Sequence, residues 1–389
     1  MMREAAVLRP YDEGETMQDG LAENPSWGHQ LRSYIAPGAP ATRTPCDGTE
    51  PAMRVEFGFT PRWYRQHVAV DFSERWHVDP AYRAETVERM RAVLADRFPG
   101  LCIGQGIPGL APGNLDGVHG AVLVAQLFGI PVEYYADNWP AAKHEFLSED
   151  GIARLDVPVL EDAPVFVQLL EQMDWIAGAF GRIGGYLNWQ GVLNNAYRLR
   201  GEALFTDLMV NAGLAHHLFE VIAHTMIAGM RYVYARQAKT GVRIQHATLS
   251  NCLVNMLSPE QYREHLMPYD RLVGEAFPHF GIHNCAWNVD PYIADYGQFP
   301  RLGYVDMGLD SDLARAKRCC PEARRALMYT PTDLANKRLD AIRADLVRIR
   351  RELSPCDIVM ADIEAGTPDE RVLDFARIAE ECLEIREEG

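Results

Sequence analysis

Residues 280–287 place an imidazole and a thiol two positions apart, at His283 and Cys285. In an extended strand, residues two apart point to the same face of the sheet. The apolar Phe280 and Ile282 precede the pair, which is typical of a buried strand that leads into a loop. Because neutral imidazole and thiolate are ligands that zinc prefers, the pattern indicates a metal site. The alternative is a packed strand whose cysteine is a small hydrophobic side chain.

The composition limits the class of protein. The chain has 389 residues, of which 48% are hydrophobic, and a formal net charge of −16. The acidic balance argues against a nucleic-acid partner. No apolar run approaches the roughly 20 residues that cross a bilayer, and no secretory signal is visible at the N-terminus. The eight cysteines are too sparse for a disulfide framework, so reduced thiols and a cytoplasmic location are expected.

The pattern of apolar residues divides the chain in two. Residues 1–53 are rich in Gly, Pro, Thr and charge and lack periodicity. We expect an arm that lies over the rest of the chain or over a partner subunit, as in a homodimer. From residue 54 onwards, strand-length apolar runs alternate with helical patterns, which predicts a parallel sheet. The number of repeats favours a (β/α)8 TIM barrel over residues 54–389.

The predicted strands and helices are as follows. Strands are expected at 54–59, 182–187, 242–249, 280–285, 302–307, 326–329 and 357–363. Helices are expected at 79–97, 117–128, 163–180, 203–237, 258–278, 309–318, 332–353 and 369–386. Neither a GxGxxG turn entering a helix nor a Walker-type phosphate loop is found, so neither NAD nor ATP is expected as a cofactor.

The active site of a barrel enzyme lies at the carboxyl ends of its strands. His283 and Cys285 fall there, and residues 248–252, 306–310 and 362–364 should reach the same mouth. Asp137 follows an apolar run and could orient the substrate or hold a proton; a turn residue before Pro140 is the alternative. We expect an apolar pocket with a few polar groups, lined by four residues. These residues are Tyr186, Asn188, Trp189 and Trp287.

Several motifs occur in an order that resembles the uroporphyrinogen decarboxylase superfamily. They lie at residues 127–135, 191–208, 211–234, 257–262, 267–269, 281–285 and 366–372. The resemblance covers most of residues 55–385 and implies a barrel that hosts two chemistries. One branch decarboxylates tetrapyrrole acetates without a cofactor. The other transfers methyl groups from corrinoid or related donors to thiols, with zinc held by His-x-Cys and a later Cys.

Two departures from that superfamily bear on the site. Residues 62–66 resemble the arginine-rich motif of the decarboxylases only weakly. This argues against uroporphyrinogen as the substrate. The late Cys of the methyltransferases is absent before Thr367, where Asp362 and Glu364 stand instead. Zinc accepts carboxylate oxygen, so either acid could be the third ligand. We rank both ahead of Cys252, for which a buried structural thiol is the favoured interpretation.

The sequence therefore favours a zinc-dependent methyltransferase. His283, Cys285 and a late carboxylate would bind the metal, and Asp137 and Glu364 are the candidate acid–base residues. The methyl donor would be a corrinoid, carried by a partner protein, or a small methylated compound. Two alternatives stay open: a cofactorless decarboxylase of a small carboxylated substrate, and a noncatalytic binding barrel.

Overall fold

A computed structural model describes residues 30–31, 46, 48–101 and 113–384. Most of the predicted arm, residues 1–53, lies outside this part of the chain. The strands described are β1 Gln30–Leu31, β2 Met53–Phe59, β3 Val132–Glu133, β4 Ala141–Ala142, β5 His246–Ser250, β6 His279–His283, β7 Leu302–Gly308, β8 Arg324–Met328 and β9 Cys356–Ile363.

The main sheet is parallel throughout and has the strand order β1-β2-β9-β8-β7-β6-β5. β2, near the start of the described chain, pairs with β9, near its end, so the sheet curls back on itself. Between β2 and β5, a parallel bridge joins Asn114 to Gly184, where two further strands of a barrel belong. This arrangement confirms the predicted α/β fold of the (β/α)8 type. β1 adds a short parallel strand to the other edge of β2.

Helices surround the sheet. They are α1 Pro61–Val68, α2 Glu74–Val78, α3 Pro80–Arg97, α4 Leu123–Leu127, α5 Glu149–Ala153, α6 Pro164–Phe180, α7 Val192–Arg200, α8 Ala203–Val210, α9 Ala212–Lys239, α10 Pro259–Gln261, α11 Met267–Glu275, α12 Ile293–Tyr296, α13 Leu313–Cys319, α14 Pro331–Asn336, α15 Leu339–Leu353 and α16 Asp369–Glu384. Short 3-10 helices occupy Leu160–Asp162 and Val254–Met256, and a π-helix occupies Tyr262–Leu266.

Local capping explains where two helices begin. Asp79 accepts hydrogen bonds from the Ala81 and Tyr82 amides at the start of α3, as its position before Pro80 predicts. Ser258 and Gln261 form a reciprocal capping box before the π-helix. In both places, side chains accept hydrogen bonds from backbone amides that would otherwise lack a partner at the start of a helix. The helix after Ser258 leads the chain from β5 to β6, the two strands that carry the candidate site.

Several predicted elements differ from the structure, and the helix predicted over 117–128 is helical only over Leu123–Leu127. Residues 182–187 make only the bridge at Gly184 instead of a strand, in a segment with two adjacent glycines that weaken strand formation. The helix predicted over 203–237 is interrupted at Asn211, whose backbone is not helical. The helix predicted over 332–353 is divided between α14 and α15. In both cases the apolar periodicity continues across the interruption and hides it.

An ion-pair network fills the amino-terminal end of the barrel. Arg54 and Arg324 both bind the buried carboxylate of Asp357, at 3.1 and 2.8 Å, and Arg54 also binds Glu56 at 3.0 Å. Paired and hydrogen-bonded charges of this kind tolerate burial that a lone charge does not. The network lies at the amino-terminal ends of β2, β8 and β9, opposite the carboxyl ends of the strands that carry the candidate site.

Candidate metal centre

Three soft donor atoms meet at the carboxyl ends of β5 and β6. Cys285 Sγ lies 3.0 Å from Cys252 Sγ and 3.0 Å from His283 Nε2. The ligand atoms of all three residues lie within 4.8 Å of one another. His283 is buried, whereas both cysteines are half-buried and carry free thiols. The cluster therefore lies at the boundary of the core, with its imidazole buried and its two thiols partly accessible to solvent.

Strand register explains why the two thiols meet. Ser250 of β5 pairs with His283 of β6, and each residue is the last of its strand. Each is followed by Asn-Cys, so Cys252 and Cys285 occupy equivalent positions two residues beyond neighbouring parallel strands. The amide of Asn251 also donates to the carbonyl of His283 at 2.7 Å, which holds the two turns together.

The contact between His283 and Cys285 does not arise from strand alternation, as the sequence predicts. β6 ends at His283, and Cys285 adopts a left-handed backbone conformation with φ of 57°. This conformation is unusual for a residue with a Cβ atom and occurs in turns and at functional sites. The turn directs the Cys285 side chain back toward the imidazole.

A buried carboxylate orients the imidazole. The Oδ2 atom of Asp306, in β7, lies 2.6 Å from Nδ1 of His283. A carboxylate only accepts hydrogen bonds, so Nδ1 carries the proton and Nε2 faces the thiols as a potential ligand. Asp306 is itself fixed by the Tyr304 hydroxyl at 2.8 Å and the Asn284 amide at 2.7 Å. A carboxylate behind a ligating histidine is the usual outer partner in zinc sites.

A second buried carboxylate supports the turn that carries Cys252. The side-chain amide of Asn251 donates to Asp270 at 2.7 Å, and the hydroxyl of Tyr262 donates to the same oxygen at 3.2 Å. Burial raises the pKa of Asp270 to about 7, although these two hydrogen bonds act in the opposite direction. Asp270 therefore holds the turn after β5 through polar contacts, as Asp306 holds the turn after β6.

The pKa values of the three donor residues depend on one another. A hydrogen bond from Cys285 lowers the pKa of Cys252 well below its ordinary value, and the same contact raises the pKa of Cys285. Burial disfavours protonation of His283, but the charges of Asp306 and Cys252 outweigh it and raise the pKa of His283 to about 10. Cys252 is thus the thiol whose surroundings best stabilise a thiolate, the form that binds metals and attacks electrophiles.

The two predicted carboxylate ligands lie at the end of β9. Asp362 is half-buried, has a left-handed φ of 59°, and its charge contributes to the raised pKa of Cys285. Glu364 is exposed in the following turn, where its carbonyl accepts the Thr367 amide at 2.9 Å. Neither acid belongs to the group of three donors, whose third member is Cys252.

The other predicted site residues are dispersed. Asp137 lies in a solvent-accessible ion pair, 3.4 Å from Arg62. Tyr186 is half-buried, and its hydroxyl donates to the Thr248 carbonyl at 3.4 Å. Trp189 is fully buried in the core, so its ring is not part of an open pocket wall. Trp287 is half-exposed beyond Cys285.

One further predicted pocket residue is used within its own loop. Asn188 is half-buried. Its side-chain oxygen, Oδ1, accepts hydrogen bonds from the backbone and side-chain amides of Gln190 at 3.0 and 2.9 Å. Gln190 in turn accepts the side-chain amide of Asn194 at 3.1 Å. The oxygen of Asn194 then lies 3.3 Å from the amide of Leu253, next to Cys252. Asn188 is therefore linked to the metal centre through a chain of amides.

The sequence analysis ranked Cys252 below the two acids and did not single out Asp306. Cys252 carries a visible signal, the Asn-Cys dipeptide that follows both β5 and β6. Asp306 falls within a segment predicted to reach the mouth, but its contact with His283 depends on the register of β6 and β7. Strand register between elements this far apart cannot be derived from one sequence.

The donor set fits zinc. Two cysteine sulfurs and one imidazole form a closely spaced group, which is the donor composition of a catalytic zinc site with three protein ligands. The contact between His283 Nδ1 and Asp306 meets the outer-sphere requirement as well, and zinc would displace the proton that the raised pKa of His283 keeps on Nε2. Such a site leaves one coordination position for a substrate.

Comparison with known proteins supports the fold. The computed structure matches a solved methyltransferase from Methanosarcina mazei with a TM-score of 0.60 and 15% sequence identity. The match covers 88% of this chain and 95% of that protein. Comparison of the sequence with protein-family models and with curated proteins finds no match. At this identity the likeness shows a shared fold.

No helix in the described residues is long and apolar enough to cross a membrane.

Proposed function

We propose that the chain is a zinc-dependent methyltransferase of the uroporphyrinogen decarboxylase superfamily. The observation that carries the proposal is the convergence of Cys252, His283 and Cys285 at the carboxyl ends of the barrel strands. The order of sequence motifs supports the superfamily, and the fold of the Methanosarcina methyltransferase supports the same architecture. The two thiols need a reducing environment, which favours a cytoplasmic setting.

The donor set favours a thiol as the methyl acceptor. Bound zinc would lower the pKa of an acceptor thiol so that it is present as the nucleophilic thiolate. Two cysteine ligands make the metal more electron-rich than one cysteine and one carboxylate would. An acceptor held there would therefore be less tightly bound and more reactive than in the Cys-His-carboxylate site favoured by the sequence. Asp306 holds a proton on Nδ1 of His283, so Nε2 would be the atom that binds the metal once its own proton is released.

The methyl donor is proposed to be a corrinoid, brought by a partner protein, or a small methylated compound. The half-buried state of Cys252 and Cys285 supports access from the mouth. Asp137 and Glu364, both accessible to solvent, remain predicted acid–base residues.

Metal content and activity test the proposal together. The purified full-length protein should contain about one zinc per chain, and Cys252→Ser, Cys285→Ser and His283→Ala should each lose most of it. Cys319→Ser, which changes a half-buried cysteine outside the cluster, should keep its zinc. Transfer of a methyl group from methylcobalamin to a small thiol should follow zinc content across the series. A fully active metal-free protein would refute the proposal.

One observation favours decarboxylation as the second candidate. The guanidinium of Arg198 is close enough to Cys252 for their charges to interact. Its hydrogen bond, at 3.1 Å, goes to the carbonyl of Asn194, and none of the described acids forms an ion pair with it. A decarboxylase needs such a cation to hold the substrate carboxylate. Release of carbon dioxide by metal-free protein, lost in Arg198→Gln, would favour this function.

A further inference from the structure

A second polar cluster lies away from the metal centre and consists of four buried side chains, His77, Arg83, His119 and Gln172. Each comes from a different part of the fold: the end of α2, α3, the loop before α4, and α6. None is more than 2% exposed. Polar side chains buried this completely are normally hydrogen-bonded.

The cluster uses only part of its hydrogen-bonding capacity. Arg83 Nη1 donates to the Gln172 side-chain oxygen at 2.9 Å and to the Trp76 carbonyl at 3.1 Å, and Nε donates to the Asn114 carbonyl at 3.3 Å. Among the described residues, no partner of good geometry is found for Arg83 Nη2, Gln172 Nε2 or the ring nitrogens of the two histidines, although the backbone of Phe72 lies close enough to His77 to influence its pKa. Arg83 contacts Gln172 and lies close enough to both histidines for their charges to interact, so these buried donors are near one another.

Arg83 also lacks a counter-ion. Among the described residues, no carboxylate forms an ion pair with it, and Asp79 is the acid whose charge acts on it. The Asp79 carboxylate is already engaged, since it caps α3 and lies 3.2 Å from Arg75. Residues 102–112, which precede the Asn114 contact in the chain, contain no Asp or Glu. A buried cation without compensation costs several kcal/mol.

The protonation of the two histidines makes them donors as well. Burial and the positive groups nearby lower the pKa of His77 well below its ordinary value, although the Phe72 carbonyl opposes this shift. Burial and the charge of Arg83 lower the pKa of His119 to about 3. Both rings are therefore neutral at pH 7, and each offers one N–H. Burial lowers the pKa of Arg83 to about 9, so its charge persists at that pH.

We propose that the cluster formed by His77, Arg83, His119 and Gln172 binds one small inorganic anion of about the size of chloride. Such an anion accepts hydrogen bonds from guanidinium, amide and imidazole donors and compensates the buried charge. A buried water could satisfy donors, but it would leave the charge of Arg83 uncompensated. Complete burial excludes a large organic ligand. This site is independent of the proposed methyl transfer.

Anion-dependent stability of the full-length protein tests the inference. Thermal unfolding is measured in sodium chloride, bromide and gluconate at equal ionic strength, so that general screening is constant. A ligand that binds only the native state raises the melting temperature in a saturable manner. We expect this rise in chloride and bromide but not in gluconate, an anion too large for the site. Bromide-soaked crystals should show an anomalous peak among the four side chains.

Three variants separate the anion from other causes. Gln172→Glu places a carboxylate beside Arg83, so the variant should be stable in gluconate and insensitive to chloride. His119→Asn, which suits the left-handed φ of 57° at this position, should weaken the apparent anion affinity at least tenfold. His246→Gln is the matched control because His246 is also buried with an unpartnered nitrogen, and it should keep the wild-type response.

The outcomes decide between anion and water without any substitution of Arg83. Equal melting temperatures in the three salts, with no bromide peak, would show that the cluster holds only water and would overturn the inference. A salt response that persists unchanged in Gln172→Glu and His119→Asn would place the anion elsewhere and would also overturn it.

Discussion

The imidazole of His283 is held between Asp306, 2.6 Å from Nδ1, and Cys285, 3.0 Å from Nε2. One ring therefore links a buried carboxylate to the thiol cluster. Because Asp306 is fully buried and receives hydrogen bonds from Tyr304 and the Asn284 amide, the ring has little freedom to rotate.

Asp306→Asn should weaken zinc binding without removing a metal ligand. The amide can donate to Nδ1, which favours the tautomer with its proton on Nε2 and blocks that ligand atom. Loss of an outer-sphere partner typically reduces metal affinity by about 10- to 100-fold. Competition with a chromophoric chelator measures the affinity. Tyr304→Phe, which removes one hydrogen bond to Asp306 but keeps the carboxylate, should have a smaller effect.

The identity of the third ligand can be decided by two substitutions. Cys252→Ser should lose most of the zinc, since it removes a donor of the three-residue group. Asp362→Asn should retain one zinc per chain and lower the pKa of Cys285, because the charge of Asp362 contributes to raising it. Thiol reactivity against pH measures this shift in zinc-depleted protein. Zinc loss in Asp362→Asn, with retention in Cys252→Ser, would restore the ligand set favoured by the sequence.

The barrel could be predicted from the sequence because its evidence is repetitive. Strand-length apolar runs alternate with helices over most of the chain, and an error at residues 182–187 does not alter the overall pattern. The geometry of the candidate metal centre depends instead on the conformation of single turns. His283 could be placed at a strand end from the apolar run before it, whereas the left-handed conformation of Cys285 leaves no signature in that run.

The role of Cys252 illustrates what one sequence lacks. It lies 33 positions before Cys285, and the two thiols meet only because Ser250 pairs with His283. A shift of one residue in that pairing would move the thiols apart. The repeated Asn-Cys after two consecutive strands is consistent with this register but does not determine it.

Asp270→Asn should change how stability depends on pH. The folded-state pKa of Asp270 is raised to about 7 by burial, whereas an unfolded carboxyl titrates near pH ~4. Between these values the native protein keeps a proton that the unfolded chain has released, so the carboxyl lowers the free energy of unfolding as pH rises. Relative to the variant, wild type should lose up to about 1.4 kcal/mol per pH unit.

Urea denaturation of both proteins from pH 4.5 to 7.5 measures this difference. Asp79→Asn is an informative control because hydrogen bonds from the Tyr82 and Ala81 amides and from Arg75 lower the pKa of Asp79. Its wild type therefore gains stability only as pH rises from the lowered folded-state pKa to the unfolded value near pH ~4, so between pH 4.5 and 7.5 the difference between wild type and Asp79→Asn should be flat. A pH-independent difference for Asp270→Asn would contradict the raised pKa.

Gly229→Ala should destabilise the barrel beneath the metal centre. A Cβ atom on Gly229 of α9 would lie 2.4 Å from the ring of Trp189, which is fully buried. Overpacking of this kind typically costs about 1–3 kcal/mol, because the ring cannot move without displacing other core side chains. Gly178→Ala in α6 is the matched control, since no atom lies within 4 Å of its Cβ position.

In Gly178→Ala, the loss of glycine flexibility should stabilise the helix by roughly 0.5–1 kcal/mol. Urea denaturation measures both changes, and an unaltered free energy of unfolding in Gly229→Ala would show that Trp189 can yield without cost.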